Sequence, residues 1–323
     1  MRGILSDIPA EWDFPPEGSP LPAGAASLID FLSKKVFNDY EPSQFHPFRQ
    51  RLVEWLNNFQ EQEDQQHLLA LLLDVFFVGR REFEALYRAV YRGVLFRWMI
   101  EGSDIDVFSD DLETLIADKV NDAWICPISD SLRINSFLKV NGLKSLDKRP
   151  DWRSLKQFGD VPKIQSYVAD KGIRDLVLLE DFCGSGNQAT GAIKFAAETL
   201  PDVRILLCPL IVCPKGDEAL IGVVKELKDN GFSNVTYEPA LVLPQTVVHD
   251  YDEHAAGNST RSDLFLCDNK AKLGFSTDKA MFGYKQTGAK VVMFSNCPNN
   301  TLPVFHRETE DWKPLFPRVD RQS

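Results

Sequence analysis

The stretch LVLLEDFCGSGNQATGA, from Leu176 to Ala192, constrains this chain more than any other. Four apolar residues run straight into two adjacent carboxylates, Glu180 and Asp181. A small-residue loop with Gly184, Ser185 and Gly186 comes next, followed by an Ala-rich helical start. A continuous apolar run of this kind reads as a strand buried on both faces, which needs helices on either side of it. Open α/β sheets place their ligands at the carboxyl edge of such strands. Glycines let backbone N–H groups approach a ligand closely, and the new helix adds the positive end of its dipole. A phosphate fits that loop, and the two carboxylates fit ribose hydroxyls or a magnesium ion.

The rest of the chain predicts the helices this strand requires. Residues 1–24 are rich in Pro and Gly and read as an irregular lead-in. Residues 25–118 carry helical periodicity: Ser27 to Lys35, Phe48 to Glu63, then two further helices with a break near Val78–Gly79. Residues 119–323 change grammar. AWICPISDS reads as a strand entering a polar turn, and KIQSYVADKG as a helix stopped by Gly172. DLVLLED, VRILLCPLIV, NVTYEPALVL, DLFLCD and AKVVMFSN read as strands, with NQATGAIKFAAETL and EALIGVVKELKDNG as helices between the first three. Such alternation predicts an α/β core with a mostly parallel sheet flanked by helices, preceded by an all-helical region.

Composition narrows the functional classes. The 323 residues suffice for one large domain or two ordinary ones, and 44% hydrophobic content supports a sizeable core. A formal charge of −11 disfavours non-specific binding to long duplex nucleic acid and leaves a local basic groove open. No apolar run is long enough to span a membrane, and the acids and prolines of MRGILSDIPAEWDFPPEG do not make a signal peptide. Six cysteines without a CxxC pair read as reduced core thiols of a cytoplasmic protein.

Two ligand chemistries use a strand, an acid and a Gly-rich loop in this order. One is phosphoribosyl diphosphate binding. Glu180 and Asp181 then receive hydrogen bonds from the ribose hydroxyls, and Gly184, Ser185, Gly186, Asn187 and Gln188 form the loop for the 5′-phosphate. The other is S-adenosylmethionine binding, as DFCGSGN is similar to the DPFCGSGT loop of amino-methyltransferases. Against it, no Asn/Asp-Pro-Pro-aromatic motif follows, and VRILLCPLIV brings Cys208 and Pro209 where an adenosine-binding acid is expected. A plain turn without ligand is the third alternative.

The C-terminal run GAKVVMFSNCPNNTLPVFHRE and the following DWKPLFPR resemble the ending of phosphoribosyltransferase-like proteins of bacterial conflict systems, the PRTase-CE type. That group carries an NTPNNTLP segment; here Cys297 replaces its first Thr, and His306 stands where Trp is common. Its DDF-G-S/T-G-N loop matches Glu180, Asp181, Phe182, Gly184, Ser185, Gly186 and Asn187, and its reeF-aLyr stretch matches Arg80 to Arg88. The resemblance implies a phosphoribosyltransferase-like fold and phosphoribosyl diphosphate bound with Mg2+. It further implies ribose-phosphate transfer to a nucleobase- or nucleotide-type acceptor, in a bacterial antiviral defence effector with a protein partner engaged through the helical region. Compared with nucleotide-salvage enzymes the loop departs at Phe182, Cys183, Gly184 and Gln188, which keeps a non-catalytic ribose-phosphate sensor as an alternative.

Two further places are implied by that resemblance. The turn after the first core strand, with Ser129, Asp130, Ser131 and Arg133, is where such enzymes bind diphosphate; the alternative is a helix N-cap by Ser129 or Asp130. Asn299, Asn300 and Thr301, with Pro303, either line an acceptor pocket or shape a turn. Asp263 and Asp268 read as solvated strand-end acids, with a magnesium-shell ligand as the alternative for one of them, and no histidine pair, His249 and His254 included, has metal-ligand spacing.

Overall fold

The computed structural model describes residues 5–43, 46–143, 154–248 and 261–319. Its described strands are β1 (Phe76–Val78), β2 (Trp124–Pro127), β3 (Asp175–Cys183), β4 (Arg204–Val212), β5 (Val235–Tyr237) and β6 (Val291–Met293). The chain divides into two compact units, Arg81–Pro244 and Met1–Arg80 with Gln245–Ser323.

The unit Arg81–Pro244 is an α/β layer built on a parallel sheet of order β2-β3-β4-β5. Parallel strands need crossover connections, and three helices supply them: Val161–Lys171, Asn187–Thr199 and Pro214–Asp229. Their apolar stripes, including Ile164, Ile193 and Leu220, pack with Leu176, Leu178, Ile205 and Leu207 in one cluster. Every residue of β3 after Asp175 is buried, the two acids among them, as a doubly covered strand demands. The helix stops and starts follow local chemistry. Asp160 accepts from Lys163 N at 3.1 Å to open one helix, and Gly172 closes it in the left-handed region at φ 61°.

The other unit is organised by aromatic packing around helices Ala25–Lys35, Phe48–Leu56 and Gln62–Leu73. Trp55 and Trp312 both donate their indole N–H to Val304 O, at 2.8 and 3.1 Å. Arg51 donates to Leu315 O, and Tyr40 Oη to Pro317 O at 2.9 Å. These bonds tie the C-terminal run into the first helices. A short parallel pair, β1 with β6, sets Phe76 opposite Val291. Among the described residues, no helix is long and apolar enough to cross a membrane.

Several elements differ from expectation. DLFLCD lies in a helix, Arg261–Asp268, with Phe265 and Leu266 in the aromatic core. A four-residue apolar run has no period of its own, so packing decides its form. AKVVMFSN yields only the three residues of β6, in the small sheet. NVTYEPALVL yields β5 and one isolated bridge, Val212 to Val242. The boundary expected at residue 118 is not where the compact units divide. The helical stretch is split near residue 80, and the C-terminal segment joins the first helices because their apolar faces share one core. His249 and His254 lie outside the described residues.

Candidate functional site

The site is built where β2 ends beside Leu179 of β3, just before the two acids. Ile128 N donates to Leu179 O at 2.8 Å, which sets the turn after β2 against the acid end of β3. Glu180 and Asp181 are each 4% exposed. Ser129 Oγ lies 2.7 Å from Glu180 Oε1, Ser129 Oγ and Ser131 Oγ lie 2.5 Å apart, and Ser131 Oγ lies 2.9 Å from Asp181 Oδ1. Neighbouring residues of a strand ordinarily point to opposite faces. Here one serine turn reaches both carboxyls, Glu180 through Ser129 and Asp181 through Ser131.

These three oxygen–oxygen contacts run in series, and each needs a proton between its oxygens. The two serine hydroxyls supply two of them. The third contact closes only when one of the two acids is protonated. Burial, and then the charge of Asp181 beside it, hold the Glu180 carboxyl well above its ordinary 4.5, which makes Glu180 the acid that takes a proton more readily. Phe182 N donates to Asp181 Oδ1 at 2.8 Å. Burial pushes the Tyr87 phenol up, and the charge of Asp181 adds to it. The Cys183 thiol is pushed up to about 12, by burial first and then by Glu180, so it is no nucleophile at neutral pH.

A pH signature follows from Glu180. Its folded-state value is raised, so its contribution to stability is fully present below the unfolded value and is lost as pH rises through the folded one. Glu180→Gln keeps the shape without the titration. Urea midpoints measured against pH are expected to fall for the wild type relative to Glu180→Gln as pH climbs above about 4.5. A difference between the two that stays flat with pH refutes the raised Glu180 value.

Beyond the acids, the loop closes as its glycines allow. Gly186 sits in the left-handed region at φ 81° and opens the helix Asn187–Thr199. Gly184 and Gly186 are buried, Ser185 is half-buried, and Asn187 and Gln188 are exposed. The start of the next helix presses on this loop at Gly216, where a Cβ would lie 2.7 Å from Gly184 O and 2.9 Å from Cys183 O. Beside the loop is a cavity of about 450 Å3, with Ser129, Asp130, Asn187 and Gln188 on its wall. Among the described residues that line it, neither Glu180 nor Asp181 appears; Glu180 stands one hydrogen bond behind Ser129, and Asp181 is bonded to Ser131.

The family model PRTase-CE matches residues 52–318, most of the chain and parts of both units. The chain belongs to the PRTase-CE family. It is a phosphoribosyltransferase-like protein with the α/β fold expected of one. No curated protein and no solved structure matches this PRTase-CE chain.

The family's acid–loop motif and the serine turn thus meet in one unit, Arg81–Pro244. The N-cap alternative for Ser129 or Asp130 is corrected: the helix Ile134–Val140 follows Arg133, which makes no side-chain cap bond. Asn299, Asn300 and Thr301 lie in the other unit, and there the turn alternative is the one their bonds describe. Asn300 Nδ2 donates to Thr287 Oγ1 at 2.8 Å, and Thr301 Oγ1 to Val291 O at 2.5 Å. Asn299 is exposed, and its carbonyl accepts from Tyr284 N at 2.9 Å. This PRTase-CE motif ending therefore holds β6 and the turn together. Among the described residues, no group of three His, Cys, Asp or Glu is placed to hold a metal. Sequence reasoning missed Tyr87, Gly216 and the cavity residues Gln157 and Phe195. Gly216 alone had a readable signal, a second small residue at a strand-to-helix turn.

Proposed function

We propose that the unit Arg81–Pro244 binds phosphoribosyl diphosphate, or a related ribose phosphate, with magnesium. The observation that carries this reading is an orphaned atom. Glu180 Oε2 is buried and has no hydrogen-bond partner, an arrangement that costs about 1–3 kcal/mol unless a ligand relieves it. A ribose hydroxyl or a cation would do so, and the neighbouring loop offers small residues and a helix start to a phosphate. The donor set suits magnesium, which takes one or two carboxylates and completes its shell with phosphate oxygens and water. Glu180 and Asp181 would hold it, and when bound it supplies charge neutralisation for the diphosphate. Ser129 and Ser131 orient the two carboxyls, and Phe182 N holds Asp181.

Positioning and electrostatics of this kind suit substitution at the anomeric carbon, with ribose phosphate passing to a nucleobase- or nucleotide-type acceptor. A second reading, binding without turnover, is favoured by the loop, which departs from that of nucleotide-salvage enzymes at Phe182, Cys183, Gly184 and Gln188. Family kinship extends the proposal to a bacterial antiviral effector acting in the cytoplasm.

Ligands that bind only the native state raise its melting temperature by mass action. Phosphoribosyl diphosphate with magnesium is expected to raise it, by an increment that Asp181→Asn largely removes. Diphosphate release in the presence of an acceptor then separates transfer from sensing. Stabilisation by S-adenosylmethionine alone would overturn the proposal in favour of a methyltransferase.

A further inference from the structure

We infer that a second cavity, at the edge of the sheet opposite to Glu180 and Asp181, binds an aliphatic amino acid in its zwitterionic form. The cavity holds about 390 Å3, within the range that takes one small molecule. Two helices reach it with their C-terminal turns. Val168, Ala169 and Gly172 come from the end of Val161–Lys171, and Thr199 and Leu200 from the end of Asn187–Thr199. The rest of the wall, Ile173 and Arg174 with Pro201 to Val203, leads into the starts of β3 and β4. Arg174 precedes β3 and Glu180 lies far along it, about 20 Å away at the rise of a strand, so this is a different place from the acid pair.

The lining specifies the occupant. Val168, Ile173, Leu200 and Val203 are buried and make an aliphatic floor. Among the described residues that line the cavity there is no aromatic ring, so the floor suits a branched alkyl chain. Two opposite charges, Arg174 and Asp202, line the same cavity, and both residues are exposed. Among the described residues, neither side chain makes an ion pair or a hydrogen bond. Asp175, next to Arg174, pairs with Arg204 at 3.1 Å instead. A guanidinium takes a carboxylate through two parallel hydrogen bonds, and Asp202 can accept from an ammonium. A free amino acid carries both groups on one carbon, beside its side chain, and so answers the floor and both charges together.

The helix ends decide against simpler ions. Both present the negative ends of their dipoles, which favour a cation and disfavour an anion bound alone. A plain amine would leave Arg174 unanswered. Gln165 Nε2 donates to Thr199 O at 3.0 Å, which fixes the two helices together at the cavity wall. Thr199 adds an independent sign: it lines the cavity, is 2% exposed, and its hydroxyl has no hydrogen-bond partner. A buried hydroxyl without a partner is unfavourable, and a polar group in the cavity would relieve it. The site stands on this cavity and does not depend on the ribose-phosphate reading.

The test uses the full chain with labelled Ile, Leu and Val methyls, and the probe is L-leucine. The Val168, Ile173, Leu200 and Val203 methyl resonances are expected to shift. Isocaproate, which lacks the ammonium, and isoamylamine, which lacks the carboxylate, are each expected to bind about fivefold more weakly or worse. Arg174→Gln and Asp202→Asn, both at exposed positions, are each expected to weaken leucine binding about five- to tenfold. Circular dichroism checks that the variants are folded, and the two analogues probe the same charges on the unaltered chain. No shift at these methyls with L-leucine, equal binding of either analogue, or full leucine affinity in either folded variant overturns the site. So do leucine shifts centred on Ile128 and Leu178, which would place the amino acid in the cavity beside the acid loop.

Discussion

Gly216→Ala is expected to destabilise the protein by about 1–3 kcal/mol and to weaken the response to phosphoribosyl diphosphate. The added methyl would stand 2.7 Å from Gly184 O and 2.9 Å from Cys183 O, both backbone atoms that no rotamer change can move aside. Cys213 N already donates to Cys183 O at 2.9 Å, so the helix start and the loop are tied together at this spot. Pushing them apart would displace the segment proposed to receive the phosphate. The same substitution at Gly191 provides the comparison. There the new Cβ meets nothing, the residue lies inside a regular helix, and a gain of about 0.5–1 kcal/mol is expected. Urea midpoints of the two alanine variants should move in opposite directions. A shared direction would mean that the loop and the helix start do not pack as described.

Trp55→Ala is expected to cost about 3–5 kcal/mol, the largest loss from any single change considered. Its side chain is 0% exposed, and its ring stacks on Phe305 at 5.7 Å. The indole N–H is one of two that converge on Val304 O, so the variant also loses a buried hydrogen bond. Trp55→Phe keeps most of the packed volume and should recover the greater part of the loss. Guanidinium unfolding followed by circular dichroism reads both variants. A loss below about 1 kcal/mol for Trp55→Ala would contradict the aromatic core that joins the first helices to the C-terminal run.

Legibility in the sequence depended on how local the governing physics was. Glu180, Asp181 and the following small residues could be placed because strand burial, turn chemistry and helix initiation all act within Leu176 to Ala192. Gly172 closed its helix for the same reason. DLFLCD was misread because four apolar residues satisfy strand and helix alike until Phe265 and Leu266 find their neighbours. Asn300 and Thr301 were recognisable as a motif, but their task was not, since Thr287 and Val291 define it from a distance.

By itself, the sequence determined the parallel α/β layer, the acid–loop order at its edge and the family, because these rest on short-range pattern. Only the tertiary structure decided that Ser129 and Ser131 link the two carboxyls and that Gly216 braces the loop. It likewise decided that the C-terminal run belongs with the first helices. Each of these joins residues far apart in the chain through close packing, and no local propensity specifies which distant surface a buried face will meet.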